Sequence, residues 1–167
     1  EGMVRQSLDN PLKKGKKERM NSVLLAVDPG KTGGLAYRDP YGEILLKKWT
    51  TEADFLDFIN ERECPEFAVV EDVPVFVSGA TSNASSFKYG FICGAIRACD
   101  IPLELAKPKA WQKGLHGVKP RIGYTDRKRI LKNNAKRLYP KLDGLTNATA
   151  DALLILHYYL EKNPHLK

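Results

Sequence analysis

The chain has 167 residues, 43% hydrophobic and 28% charged, with a formal net charge of +7. That is enough for one domain with its own core, so no disulfide framework is needed. No apolar run approaches the ~20 residues of a membrane-spanning helix, which excludes a membrane span of that kind; three cysteines without metal-ligand spacing (Cys64, Cys93, Cys99) suggest free thiols in a reducing, intracellular compartment.

Residues 1–20 are polar and basic, and are read as a flexible arm or an added or upstream extension, with Met20 as an alternative start. Order is expected from residue 21 to 162 as a single domain, with 163–167 as a frayed tail. Ser22 to Asp28 is an apolar, β-rich run that predicts a buried strand. Pro29 to Gly34 is turn chemistry. Leu35–Arg38 and Glu43–Thr50 predict strands around the Asp39-Pro40-Tyr41-Gly42 turn, making an antiparallel meander. Thr51 to Asn60 predicts a helix, with Thr51 as N-cap and Asp54 three residues on. Phe67–Glu71 is a second buried strand, 74–83 a loop and Ser85–Cys99 a helix. Leu103–Ala106 is a strand and Lys109–Lys113 a short helix. Thr125 opens a basic helix that ends near Leu138 before Pro140, and Asn147–Leu160 is the last helix. This order fits an α/β fold, a mixed five-stranded sheet flanked by helices.

The charge is concentrated in one segment. Lys107 to Lys141 holds twelve Lys/Arg and one acid, a net +11, while the rest of the chain is at −4. A solvated basic face is the plainer explanation, but so lopsided a block points first to a polyanion, most commonly nucleic acid.

Three carboxylates fall at the ends of predicted elements. Asp28 ends the first strand and Glu71 the other central strand; neighbouring strands bring them together. Asp151 lies in the first turn of the last helix, one residue off its apolar stripe. Each has a plain alternative, turn chemistry for Asp28 and helix-dipole stabilisation for Asp151. Together they repel unless a cation joins them. All-oxygen ligands suit Mg²⁺, with Mn²⁺ as substitute, and two such ions about 3.5–4 Å apart support phosphodiester hydrolysis.

Five segments carry a resemblance: Leu25-Ala-Val-Asp-Pro-Gly-Lys-Thr-Gly-Gly-Leu-Ala36, Val69-Val-Glu-Asp-Val73, Ser85-Ser-Phe-Lys-Tyr-Gly90, Pro108-Lys-Ala-Trp-Gln-Lys113 and Ala148-Thr-Ala-Asp-Ala-Leu-Leu154. In this order, from about Ser22 to Leu160, they resemble the RuvC-type Holliday junction resolvases, their phage-borne and organellar branches most. The resemblance implies an RNase H-like fold and a homodimer. It also implies Mg²⁺-dependent resolution of four-way DNA junctions by paired symmetric nicks, with no small-molecule cofactor, in the cytoplasm or a nucleoid. Asp28, Glu71 and Asp151 match three of the family's catalytic acids. The fourth falls at Asn147 or Ala148, a departure: Asn147 offers a carbonyl oxygen without charge. Asn147 replacing an Asp, a substitute acid at Asp143 and native impairment all stay open.

The expected DNA contacts are Lys31, Ser85, Ser86, Lys88, Lys107, Lys109, Lys113, Lys119, Arg121, Arg127, Lys128, Arg129 and Lys132, taken as a patch. The resemblance adds Phe76 as an aromatic that opens the junction, with packing under its own loop an equal alternative. Trp111 reads as a core anchor. Gly90 and Gly94 mark a smooth helix face, for a dimer contact or for packing on the chain's own sheet. The rival functions are a catalytically silent DNA- or RNA-binding protein and a flap or Y-fork nuclease. An actin-like phosphate loop would need far more chain, and a P-loop is excluded because Leu25 stands where its first Gly belongs.

Overall fold

The computed structural model describes residues 21–30, 32–73 and 80–167. The arm 1–20 and two expected DNA contacts, Lys31 and Phe76, lie outside the described residues. The meander is present as β1 (Leu24–Asp28), β2 (Gly33–Arg38) and β3 (Ile44–Trp49), all antiparallel. After α1 (Glu52–Asn60) comes β4 (Phe67–Glu71), parallel to β1, and β5 (Leu103–Ala106), parallel to β4, followed by the short helix α3 (Pro108–Trp111). The sheet order β3-β2-β1-β4-β5 is the expected mixed five-stranded sheet.

Alternation along the strands sorts side chains into two cores. Val23, Leu25, Val27, Ala68 and Val70 face one way, onto Phe55 and Phe58 of α1 and Ile92 and Ile96 of α2 (Ala80–Ala98). Leu24, Ala26 and Val69 face the other way, onto Ile155, Leu156 and Tyr159 of α5 (Thr149–Lys162). Each buried Val, Leu, Ile or Phe among them contributes roughly 1.5–3 kcal/mol by leaving water. The same period of two puts Asp28, two residues past Ala26, and Glu71, two past Val69, on the α5 face. Val27 pairs with Val70, so both acids stand at the same sheet edge.

One glycine fixes how close α5 comes. A Cβ on Gly34 would lie 2.1 Å from the Ala148 carbonyl oxygen and 2.8 Å from Thr149 Cα. Only a residue without a side chain lets the start of α5 rest on β2 there. Gly33 and Gly34 thus belong to β2 itself, two residues earlier than the sequence suggests. The predicted cap of α1 is present: Thr51 Oγ1 accepts from the Asp54 N–H at 3.1 Å, and Asp54 Oδ2 accepts from the Thr51 N–H at 2.9 Å.

Three expectations need correction. First, α2 begins at Ala80, not Ser85. Ser85 and Ser86 therefore sit in its second turn, where backbone N–H groups are already bonded within the helix and are not free for a phosphate. Second, the basic residues of helix α4 (Tyr124–Leu138) do not all face outward as DNA contacts. Leu131 and Ala135 are buried, and Lys128 shares their face. Third, the tail is docked rather than frayed: Pro164–Leu166 forms a 3₁₀ turn, Leu166 packs on the core, and the Leu166 carbonyl accepts from Arg38 Nη1 at 2.5 Å.

Candidate active site

Asp28, Glu71 and Asp151 line one cavity of about 400 Å³. Asp28 and Asp151 are 4% and 5% exposed. Thus the structure brings together the three acids that the sequence singles out. Asp28 Oδ1 accepts from the Gly30 N–H at 3.0 Å, and its carbonyl accepts from the Trp49 indole at 3.4 Å, which pins the strand end. Lys128 reaches in from α4: its ammonium lies 2.6 Å from Asp151 Oδ2 and 3.7 Å from Asp28 Oδ2, and its side chain is only 17% exposed. The sequence had placed Lys128 among outward DNA contacts; it points inward to the acids.

The electrostatics follow from burial. Desolvation, then Asp151, push the Asp28 carboxyl up to about 6, although Lys128 and the Gly30 N–H oppose this. Desolvation, then Asp28 and Asp151, push Glu71 up to about 8. Trp111 is buried as expected and its indole N–H lies close enough to favour the Glu71 carboxylate, yet it makes no well-formed hydrogen bond. Burial also raises Asp151, with Lys128 pulling it back. For Lys128, burial pulls downward, but Asp151 and Asp28 outweigh it and hold it above its ordinary value. Buried acids that retain protons beside one lysine form a site short of positive charge.

The donor chemistry fits a hard divalent cation: three carboxylates, and Asp151 Oδ1 is buried with no hydrogen-bond partner among the described residues. The cage is not closed. Among the described residues, no three acidic, His or Cys side chains stand in a metal-chelating arrangement. The Lys128 ammonium occupies the space beside Asp28 and Asp151. Asn147 lines a different, neighbouring cavity, and Asp143 is exposed and does not line the acidic one.

Around the acids, the basic residues divide. Lys109, Lys113, Lys119, Arg121 and Arg127 line an adjoining cavity of about 390 Å³ that, among the described residues, holds no acid; it shares Gln112 and Arg127 with the acidic cavity. Arg121 sits there at φ 64°, a backbone conformation uncommon for a residue with a side chain. Ser85 lines the acidic cavity, and Lys107 is exposed. Arg129 pairs with Asp126 at 2.9 Å on the outer face, and Lys132 is partly buried. Lys88 is tied elsewhere: it donates to the Thr50 carbonyl at 2.5 Å and lies 4.8 Å over the Trp49 ring. Gly90 and Gly94 are exposed, and a Cβ on either meets open space. They are therefore not packed on the chain's own sheet. The sequence reading also passed over Tyr124, which is 69% exposed and lines both the acidic cavity and the one holding Asn147. Its only signal was an aromatic residue just before the Thr125-Asp126 helix start.

No family model matches the chain, and no curated protein matches it. Solved structures do. Thermus thermophilus RuvC in complex with Holliday junction substrate is 16% identical, with a TM-score of 0.59 over 84% of this chain and 96% of that one. Thermus thermophilus RuvC in a second structure is 17% identical with a TM-score of 0.54 and the same coverage. The yeast mitochondrial Holliday junction resolvase Ydc2 is 12% identical, with a TM-score of 0.47 over 87% of this chain and 80% of that one. The chain thus has the RNase H-like fold of RuvC-like resolvases.

Proposed function

We propose that the chain is a structure-selective endonuclease that resolves four-way DNA junctions by paired symmetric nicks. The observation that carries this reading is the convergence of Asp28, Glu71 and Asp151 in one cavity that adjoins an acid-free basic cavity. A polyanion held by Lys109, Lys113, Lys119, Arg121 and Arg127 has its backbone led to the carboxylates. The likeness to RuvC bound to Holliday junction substrate supports the choice of branched DNA.

Asp28, Glu71 and Asp151 are the residues that would hold Mg²⁺ or Mn²⁺, two ions per site. Bound there, such ions supply an activated water and charge stabilisation for the leaving oxygen. Lys128 has to turn out of the acid cluster to admit them, and from α4 its ammonium then faces the incoming phosphate. The smooth α2 face at Gly90 and Gly94 is the contact of a homodimer, which would present two sites to the two strands of a junction.

The test is a panel of labelled substrates of one sequence (four-way junction, Y-fork, flap and linear duplex) incubated with Mg²⁺. Paired nicks in the junction alone are expected. Preferential cutting of the flap or Y-fork would replace the junction by another branched substrate. Junction binding without nicking of any substrate would establish the silent binding protein instead.

A further inference from the structure

Beside the acidic cavity, and sharing no lining residue with the basic one, lies a third cavity of about 410 Å³. It shares Thr32, Tyr124 and Lys128 with the acidic cavity, so the three run in series: basic, acidic, then this one. Its chemistry differs from both. Among the described residues, no carboxylate lines it. Its rim carries the Tyr124 ring, 69% exposed, the exposed Lys48 of β3, the Asn147 amide and the hydroxyls of Thr125 and Thr146. Lys128 lies 5.8 Å over the Tyr124 ring, on the side of the acids.

These groups match one kind of ligand. A nucleobase has a flat π-face for Tyr124 and hydrogen-bonding edges for an amide and hydroxyls; its phosphate suits Lys48. A base inside a duplex has both faces covered by its neighbours, so only an unstacked nucleotide can use the ring. A basic cavity alone would hold any DNA; an aromatic beside the acids selects DNA that can release a base there.

We propose that this third cavity is a nucleotide subsite: Tyr124 stacks on an unpaired base one step from the cleaved phosphate, Asn147 reads its edge and Lys48 holds its phosphate. This rests on the endonuclease reading for its DNA substrate and deepens it. It assigns Asn147 to the substrate, in the cavity where its side chain is found, rather than to a metal ion.

The direct test places 5-iododeoxyuridine at the branch point of a four-way junction, irradiates the complex with the full chain in EDTA, and maps the crosslink by tryptic mass spectrometry. The same preparation is assayed separately for nicking in Mg²⁺. The crosslink is expected on the peptide Ile122–Arg127, which contains Tyr124. Tyr124→Ala should lose that crosslink and bind the junction roughly five- to a hundredfold more weakly, the range of one base–aromatic stack. Tyr124→Phe should keep both, and because the ring is exposed neither change disturbs the core. A crosslink confined to other peptides, or Tyr124→Ala binding as tightly as the parent, overturns the subsite even where the parent nicks the junction. A Tyr124 crosslink without nicking supports the subsite and sinks the endonuclease reading instead. Absence of any binding to the junction overturns the subsite.

Discussion

At the scale of residues, the site is governed by buried charge. Asp28 and Glu71 ordinarily ionise at 3.8 and 4.5 but hold protons up to about 6 and about 8 in the fold. Between those limits the folded chain binds more protons than the unfolded one. Their contribution to stability is therefore complete below about pH 4 and declines as pH rises through 6 to 8. Lys128, held above its ordinary value of 10.5, loses its contribution only at higher pH and leaves this window alone. Metal-free protein should thus show a Tm that falls between pH 5 and 8, and Asp28→Asn should flatten the fall. A Tm that rises across that range would contradict the burial of these acids as protonated groups. Lys128→Met tests the same balance from the other side. It leaves Asp151 and Asp28 without their cation, and a buried charge that loses its partner costs about 3–5 kcal/mol. Thermal melts at pH 7 should show this loss, and Mg²⁺ should recover part of it.

The inward course of Lys128 was legible in principle. It stands three residues before Leu131 and seven before Ala135, on the one apolar stripe of α4. Five other basic residues on the same helix masked that stripe, and charge was read as exposure. Asp28 and Glu71 were easier, because a strand end followed by turn residues leaves only one direction for each side chain. Asn147 was placed by matching motifs, and matching could not tell two adjoining cavities apart.

At the scale of elements, what the sequence disclosed depended on local chemistry. The α1 capping box needs only Thr51 and Asp54, and it was found. The start of α2 was missed by five residues, because Ala80–Ser86 is rich in Ser, Thr and Asn, which compete with the helix backbone locally. Packing of Ile92 and Ile96 on the sheet stabilises the helix regardless. The docked tail was equally hidden, since nothing near Leu166 announces Arg38, 128 residues away. The contact of α5 with β2 gives a sharp prediction. Gly34→Ala forces Ala148 and Thr149 outward, at a cost of about 1–3 kcal/mol by overpacking. It should also displace Asp151 from Asp28, so activity should fall by more than the loss of folded protein explains. Urea unfolding beside cleavage rates would show whether the two separate. On α2, Gly94→Leu meets open space within the chain. It should leave Tm nearly unchanged while abolishing the proposed homodimer in sedimentation; a dimer that persists would remove the α2 face from that contact.

At the scale of the molecule, an uneven charge distribution and a short row of cavities make one surface. The +11 segment supplies α4 and the loop before it, and these carry the lysines and arginines beside the acids. Each phosphate neutralised releases counterions and steepens the salt dependence by about 0.9 in the logarithmic slope. Lys113→Glu with Lys119→Glu should therefore weaken binding to every DNA and flatten that slope; an unchanged slope would remove the basic cavity from the interface. The overall sheet was readable because five short segments occur in a fixed order. The row of cavities was not, because residues of β1, β3 and β4 meet those of α4 and α5 there from the other end of the sequence.

The most direct measurement is single-turnover nicking of a four-way junction in Mg²⁺ by the parent chain, Asp28→Asn, Glu71→Gln and Asp151→Asn, with junction binding measured in EDTA for each. Nicking by the parent should fall by at least a hundredfold in all three variants, with binding within a few-fold of the parent. Cleavage retained by any one of the three would contradict a reaction centred on these carboxylates.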